Sequence, residues 1–181
     1  MKPQRFSVYK GMGGKFGALQ LNLQLPHFYK DGQTTREKDF TGEKALDKNG
    51  NLNKDTGWQA REGSVFLEMA SASGKNQYDW NNKITFALSV ADMSEIIYFL
   101  TTDKETKIMH DPGAKTEKQG SVHKYLNFTS PEGVIEKGCL VQLTMVEGDK
   151  KTSHMVPLSP DECIAMRFLL QAGIARALNW T

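Results

Sequence analysis

The stretch "SVFLEMASASGKNQYDWNNKITFALSVADMSEIIYFL", residues 64–100, reads as two strands, a turn between them and a helix, in immediate succession. In "KITFALSV" (83–90), Ile84, Phe86, Leu88 and Val90 alternate with Thr85, Ala87 and Ser89, the period of a half-buried strand. "SVFLEMAS" (64–71) is strand-like as well, so the segment joining them, "SGKNQYDWNNK" (73–83), is a hairpin connection. That connection is small, polar or charged apart from Tyr78 and Trp80, two large rings with no obvious partner. Ser89 followed by Asp92 has the spacing of a capping box. Met93, Ile96, Ile97 and Leu100 then fall at i, i+3, i+4 and i+7, an apolar stripe for packing on a sheet.

The same periods extend in both directions. "ALQLNLQL" (18–25) puts Leu19, Leu21, Leu23 and Leu25 on one face and the amides Gln20, Asn22 and Gln24 on the other. "FSVYKG" (6–11) reads as an earlier strand, with "GMGG" as a flexible turn. Downstream, 106–111, 121–130, 139–147 and 151–158 are strand-like and joined by short Gly- and Pro-containing turns, which implies an antiparallel meander. The last helix has Ser159 at the N-cap, Pro160 at N1 and Glu162 at N3. Cys163, Met166, Leu170, Ile174 and Ala177 form its core face, widened by Ile164 and Phe168 toward a partner subunit. The expected class is α+β: two antiparallel four-stranded sheets and two helices in the order ββββα-ββββα.

A chain of 181 residues, 39% hydrophobic and 24% charged, suits one domain covering 1–181. Its polar stretch at about 30–56 reads as a surface loop or a small excursion hairpin. No apolar run approaches the roughly 20 residues of a membrane span. Cys139 and Cys163 fit no metal or redox spacing and are expected to be buried and reduced. The net charge of +2 hides an uneven distribution, because residues 1–30 hold Lys2, Arg5, Lys10, Lys15 and Lys30 and no acid.

Enzymatic and metal motifs fail on detail. In "GMGGKFG" (11–17), Phe16 stands where a dinucleotide loop needs glycine and where a Walker loop needs Ser or Thr. Around "DKNGNLNKD" (47–55), Leu52 replaces the glycine of a calcium loop and Trp58 its terminal glutamate. His27, His110, His123 and His154 have no ligand spacing. We expect no catalytic set, no metal and no cofactor.

"MASASGKNQYDWNNKITFALSVADMSEII" (69–97), with "MHDP" (109–112), "HMVPLS" (154–159), the final Asn179-Trp180 and the opening "FSVYKG", resembles the Whirly family of single-stranded-DNA-binding proteins. The resemblance spans nearly the whole chain apart from 30–56. It implies two antiparallel sheets with helices between, a homotetramer built by helix packing, and single strands held between sheets of neighbouring subunits. Trypanosomal guide-RNA-binding proteins and transcriptional positive cofactors have related architecture, which keeps RNA as an alternative. Family members usually continue the first strand as Lys-Gly-Lys-Ala-Ala-Leu, whereas Lys10-Gly11 is followed here by "MGGKFGAL". Plant members carry organelle transit peptides, and here the first strand begins almost at once. The expected location is therefore a prokaryotic or viral-host cytoplasm, or an organelle matrix after processing.

Single strands can be gripped without sequence choice by cations along the phosphates and rings under unstacked bases. On that chemistry the candidate contacts are Lys10, Lys15, Phe16, Lys75, Gln77, Tyr78, Trp80 and Lys83, with Gln20, Asn22 and Gln24 available to base edges. A second basic line comprises Lys107, His110, Lys115, Lys118, His123 and Lys124. Asp79 invites an Asx-type turn that would point one ring inward, Trp80 being the candidate. The favoured function is protection of single-stranded DNA in replication, recombination or repair. RNA annealing, transcription regulation and a structural oligomer binding an acidic protein are the competing readings.

Overall fold

Alternating leucines and amides make β2 (Gly17–Gln24) the spine of the first sheet. The computed structural model describes residues 5–11, 16–30, 33–35, 49, 59–112, 120–131 and 137–180. β2 pairs antiparallel with β1 (Phe6–Tyr9) on one side and with β6 (Ser64–Gly74) on the other. Between them in sequence, β3 (His27–Lys30), β4 (Gln33–Thr35) and β5 (Gln59–Arg61) form a separate small sheet. β6 is long enough to take two further partners, β8 (Ile84–Leu88) along its first half and the two-residue β7 (Gln77–Tyr78) at its end. After α1 (Val90–Thr102) come β9 (Thr106–His110), β10 (Val122–Thr129), β11 (Cys139–Glu147) and β12 (Lys150–Leu158), paired in sequence order as an antiparallel meander. α2 (Pro160–Ala177) follows.

Two antiparallel sheets and two helices are thus present in the expected order. The third sheet is the difference. It is built by β3 and β5, on either side of the polar stretch expected at about 30–56, and by β4 within it; the rest of that stretch, apart from Asn49, lies outside the described residues. Strands of three or four residues are too short to show a period, so sequence alone offered no alternation to read there.

Both sheets and both helices share one core. Leu19, Leu21, Leu67, Met69 and Phe86 come from the first sheet, and Leu126, Phe128, Val141 and Leu143 from the second. α1 adds Met93, Ile96, Phe99 and Leu100, with the Phe99 ring 5.6 Å from that of Phe128. Ile97, expected within this stripe, is only half-buried. Leu23 and Leu25 depart from the pattern of Leu19 and Leu21, being 44% and 50% exposed. α2 buries Cys163, Met166, Leu170, Gly173 and Ala177. A side chain at Gly173 would place its Cβ 2.9 Å from Val65 Cγ2, so glycine permits the close approach of α2 to β6. Ile164, Phe168 and Leu169 remain exposed on the other side of α2.

Both helix starts use the expected capping chemistry. The Ser89 N–H donates to Asp92 Oδ2 at 2.7 Å, and the Asp92 N–H donates to Ser89 Oγ at 3.2 Å. At α2, the Ser159 N–H donates to Glu162 Oε2 at 2.8 Å, and Lys10 Nζ lies 2.9 Å from the same carboxylate. Burial opposes ionisation of Glu162, but the Ser159 donors and Lys10 together hold its pKa below the ordinary value. The two cysteines, distant in sequence, meet in the core with sulfurs 3.5 Å apart. The Cys163 sulfur and burial raise the Cys139 pKa, keeping that thiol neutral.

A part-buried polar contact helps join the two sheets. His154 on β12 is 6% exposed, and its Nδ1 shares a hydrogen bond with Ser71 Oγ on β6 at 2.8 Å. Burial lowers the His154 pKa, against the pull of Asp79, which favours the charged ring. A histidine whose folded pKa lies below its unfolded value of about 6.5 contributes stability that is present above that value. The contribution is lost as pH falls through the folded pKa. The melting temperature should therefore drop as pH is lowered below about 6.5, and His154→Gln should flatten part of that slope. An identical slope in the variant would remove His154 as its source.

Candidate nucleic-acid interface

The hairpin that follows β6 decides where the two sequence-flagged rings go. Its tip is Lys75–Asn76, with Asn76 in the left-handed region at φ 58°, and Lys75 and Gln77 are exposed there. The Asp79 N–H donates to the Ser71 carbonyl at 2.9 Å, closing the hairpin. The Asp79 carboxylate then accepts from the Asn82 N–H at 3.3 Å and from Asn82 Nδ2 at 2.7 Å, capping a single 3-10 turn over Trp80–Asn82. The expected Asx-type turn is present, but the ring it leaves tied to the chain is Tyr78 and not Trp80.

Tyr78 Oη accepts a hydrogen bond from the Gly11 N–H at 3.0 Å, and its ring lies 5.2 Å from that of Tyr9. A Cβ at position 11 would stand 2.9 Å from that oxygen, so only glycine admits the contact without a shift. Tyr78 therefore fastens the hairpin to the end of β1. Trp80 instead lines a groove of about 670 Å³ on the outer face of the first sheet.

Strand register builds the floor of this groove. Gln20 on β2 stands opposite Glu68 on β6, which stands opposite Thr85 on β8. In the next row Asn22 faces Phe66, which faces Ala87. Gln20, Asn22, Gln24, Phe66, Glu68, Trp80 and Lys83 line the groove, together with Arg5 and Arg176. Glu68 is 9% exposed and organises this floor. It accepts from Lys83 Nζ at 2.6 Å, Asn22 Nδ2 at 2.8 Å and Thr85 Oγ1 at 3.3 Å. Lys83 is thus held by a carboxylate, leaving the floor close to neutral. Arg5 and Arg176 have no carboxylate partner among the described residues.

Phe66 also borders a neighbouring groove of about 840 Å³ lined by Arg61, Met109, His110 and Lys124. Here too the cations are partly engaged. Lys124 Nζ donates to the Thr85 carbonyl at 2.7 Å, and burial lowers its pKa. His110 stacks on Phe86 at 4.1 Å and has Nε2 3.1 Å from Asp92 Oδ2. On the outer face of the second sheet, Lys107 lies over the Tyr125 ring at 5.6 Å, and His123 is half-buried 6.4 Å from the same ring.

Of the residues flagged from sequence, Trp80 and Lys83 meet the amides Gln20, Asn22 and Gln24 in one groove. Lys10, Tyr78, His110 and Lys124 are tied to partners within the chain. Phe16 is half-buried just before β2. Lys15, Lys115 and Lys118 lie outside the described residues. Sequence reasoning missed Phe66, Glu68 and Arg176 as groove residues and left Arg5 in a general basic count. Phe66 carried a signal, a large ring on the polar beat between Val65 and Leu67.

A family model described as the Whirly transcription factor matches residues 44–169. The chain belongs to the Whirly family. The Whirly match takes in Phe66, Glu68, Trp80 and Lys83 of the groove, while the amide strand, Arg5 and Arg176 lie outside it. Among curated Whirly proteins, the chain is 40% identical over 75 residues to "Single-stranded DNA-binding protein WHY1, chloroplastic" of Solanum tuberosum, covering 41% of this chain and 27% of that protein. It is 27% identical over 123 residues to "Single-stranded DNA-binding protein WHY2, mitochondrial" of Arabidopsis thaliana, covering 66% of this chain and 50% of that one. The matches thus span half or less of these relatives' lengths. The solved structure of WHY3 from Arabidopsis thaliana has the same fold, with a TM-score of 0.76 at 22% identity over 99% of this chain and 91% of that chain.

Proposed function

We propose that this protein binds single-stranded DNA with little sequence choice, laying unstacked bases along the outer face of the first sheet. One observation carries the reading: the Trp80 and Phe66 rings, three amides, and Arg5 and Arg176, which have no carboxylate partner among the described residues, line a single groove. Rings of this kind act on base faces that a duplex has already stacked, so they favour the single-stranded form. The arginines supply the charge that phosphates require, while the neutral floor suits bases. The names of the potato and Arabidopsis relatives support the same ligand.

The exposed Ile164, Phe168 and Leu169 on α2 support assembly of identical subunits through this helix, in keeping with a tetramer. The chloroplastic and mitochondrial relatives favour an organelle matrix, where exposed single strands arise during replication, recombination and repair.

Titration of labelled oligo-dT and of a duplex of equal length at two salt concentrations tests the reading. We expect oligo-dT to bind far more tightly and to lose affinity as salt rises. Equal affinity for both forms at both salts would remove it. Light scattering on the same sample checks the assembly.

A further inference from the structure

We infer that Cys139 and Cys163 form an oxidation site: a peroxide converts the two core thiols into one disulfide, which fastens the first turn of α2 to the start of β11. The inference stands apart from what the groove binds.

The fold brings the two side chains together from anchored backbones. Cys139 opens β11 and stands opposite Leu158, the last residue of β12. Gly138 just before it has φ 92°, and a Cβ there would collide with the Leu158 carbonyl, so glycine lets β11 begin at that spot. Ser159 then caps α2, and the Cys163 N–H donates to the Ser159 carbonyl at 2.9 Å, closing the first turn of the helix. The sulfurs, 24 residues apart in sequence, meet at 3.5 Å. A disulfide requires side chains that point toward each other and sulfurs about 2.05 Å apart. Thiols already in contact meet the first condition, and a small side-chain rotation supplies the second.

Burial decides which oxidants act and which products form. Cys139 is 3% and Cys163 4% exposed. A disulfide the size of oxidised glutathione, or a cysteine of a second chain, does not reach either sulfur, whereas a peroxide as small as hydrogen peroxide is hardly larger than water. The Cys139 thiol beside it lowers the Cys163 pKa, against the opposing effect of burial, so Cys163 reacts first. Its sulfur attacks one peroxide oxygen, the O–O bond breaks, and the hydroxide released leaves as water with the Cys163 proton. The Cys139 sulfur then attacks the sulfenic sulfur, the S–O bond breaks, and the hydroxyl leaves with the Cys139 proton as a second water. Two electrons pass from the thiols to the peroxide. A partner already at contact consumes the sulfenic acid before further oxidation.

The test treats the full chain with a slight excess of hydrogen peroxide, then digests it under non-reducing conditions for mass spectrometry. The expected product is a peptide pair linked through Cys139 and Cys163, with neither thiol left to alkylate. The oxidised chain should melt about 5–10 °C higher than after dithiothreitol, which reverses the link and leaves any methionine sulfoxide untouched. Cys139→Ser and Cys163→Ser should each lose both the link and the reversible shift. Because the peptide and the melt are read on the unsubstituted chain, the result does not depend on the folding of either variant. Thiols that stay alkylatable at peroxide doses that oxidise free glutathione in the same tube overturn the inference. So does a sulfinic acid at either cysteine in place of the link, or a linked chain that melts no higher than the reduced one.

Discussion

Trp80→Ala should weaken oligo-dT binding about tenfold or more while leaving the fold in place. Stacking of one base on an aromatic ring contributes on the order of 1–3 kcal/mol, and 1.4 kcal/mol is a factor of ten. Trp80 is half-buried at the start of a 3-10 turn whose geometry is set by Asp79, so truncating its ring removes a groove wall and leaves the Asp79 cap. The second sequence-flagged ring gives the contrast. Tyr78→Phe keeps the ring beside Tyr9 but loses the hydrogen bond from Gly11, and so should act mainly on stability. Anisotropy with labelled oligo-dT, paired with thermal melts, separates the two effects. Unchanged affinity in the Trp80 variant would show that bases do not lie on this face.

Phe99→Ala should be the more damaging change to the fold itself. Phe99 is fully buried on α1 and meets Phe128 of the second sheet, in a core that also holds Leu67 and Met69 of the first. Removing such a ring costs about 3–5 kcal/mol, combining lost transfer energy with the cavity left behind. For a domain of this size, that corresponds to a fall of about 10 °C in melting temperature. Calorimetry or denaturant unfolding would register it. A loss under about 1 kcal/mol would mean that the helix and the sheets are not cooperatively packed as described.

The fold was legible wherever a period ran long enough to be counted. Leu19 and Leu21 against Gln20 and Asn22 gave a strand and its core face, and both capping sequences marked helix starts. β3, β4 and β5 escaped because three or four residues cannot display alternation. The candidate site was legible as a list of chemistries but not as a set of neighbours. Lys10 and Lys83 looked like free cations, yet each sits against a carboxylate far away in sequence, Glu162 and Glu68. Glu68 has no motif around it in the sequence, and only cross-strand register brings it to Asn22, Lys83 and Thr85. Arg176, at the last turn of α2, reaches the groove through packing that no local pattern encodes.

The pairing of Gln24 with Ser64 has a consequence for how this fold can change in length. The chain leaves the first sheet after Gln24 and re-enters it at Ser64, two adjacent points, so what joins them is a detour. Lengthening or trimming the detour alters no pairing elsewhere, and doubling it costs only about 0.6 kcal/mol of closure entropy. The architecture thus has a graft point beside its groove, where residues can be gained or lost while the frame stays as it is.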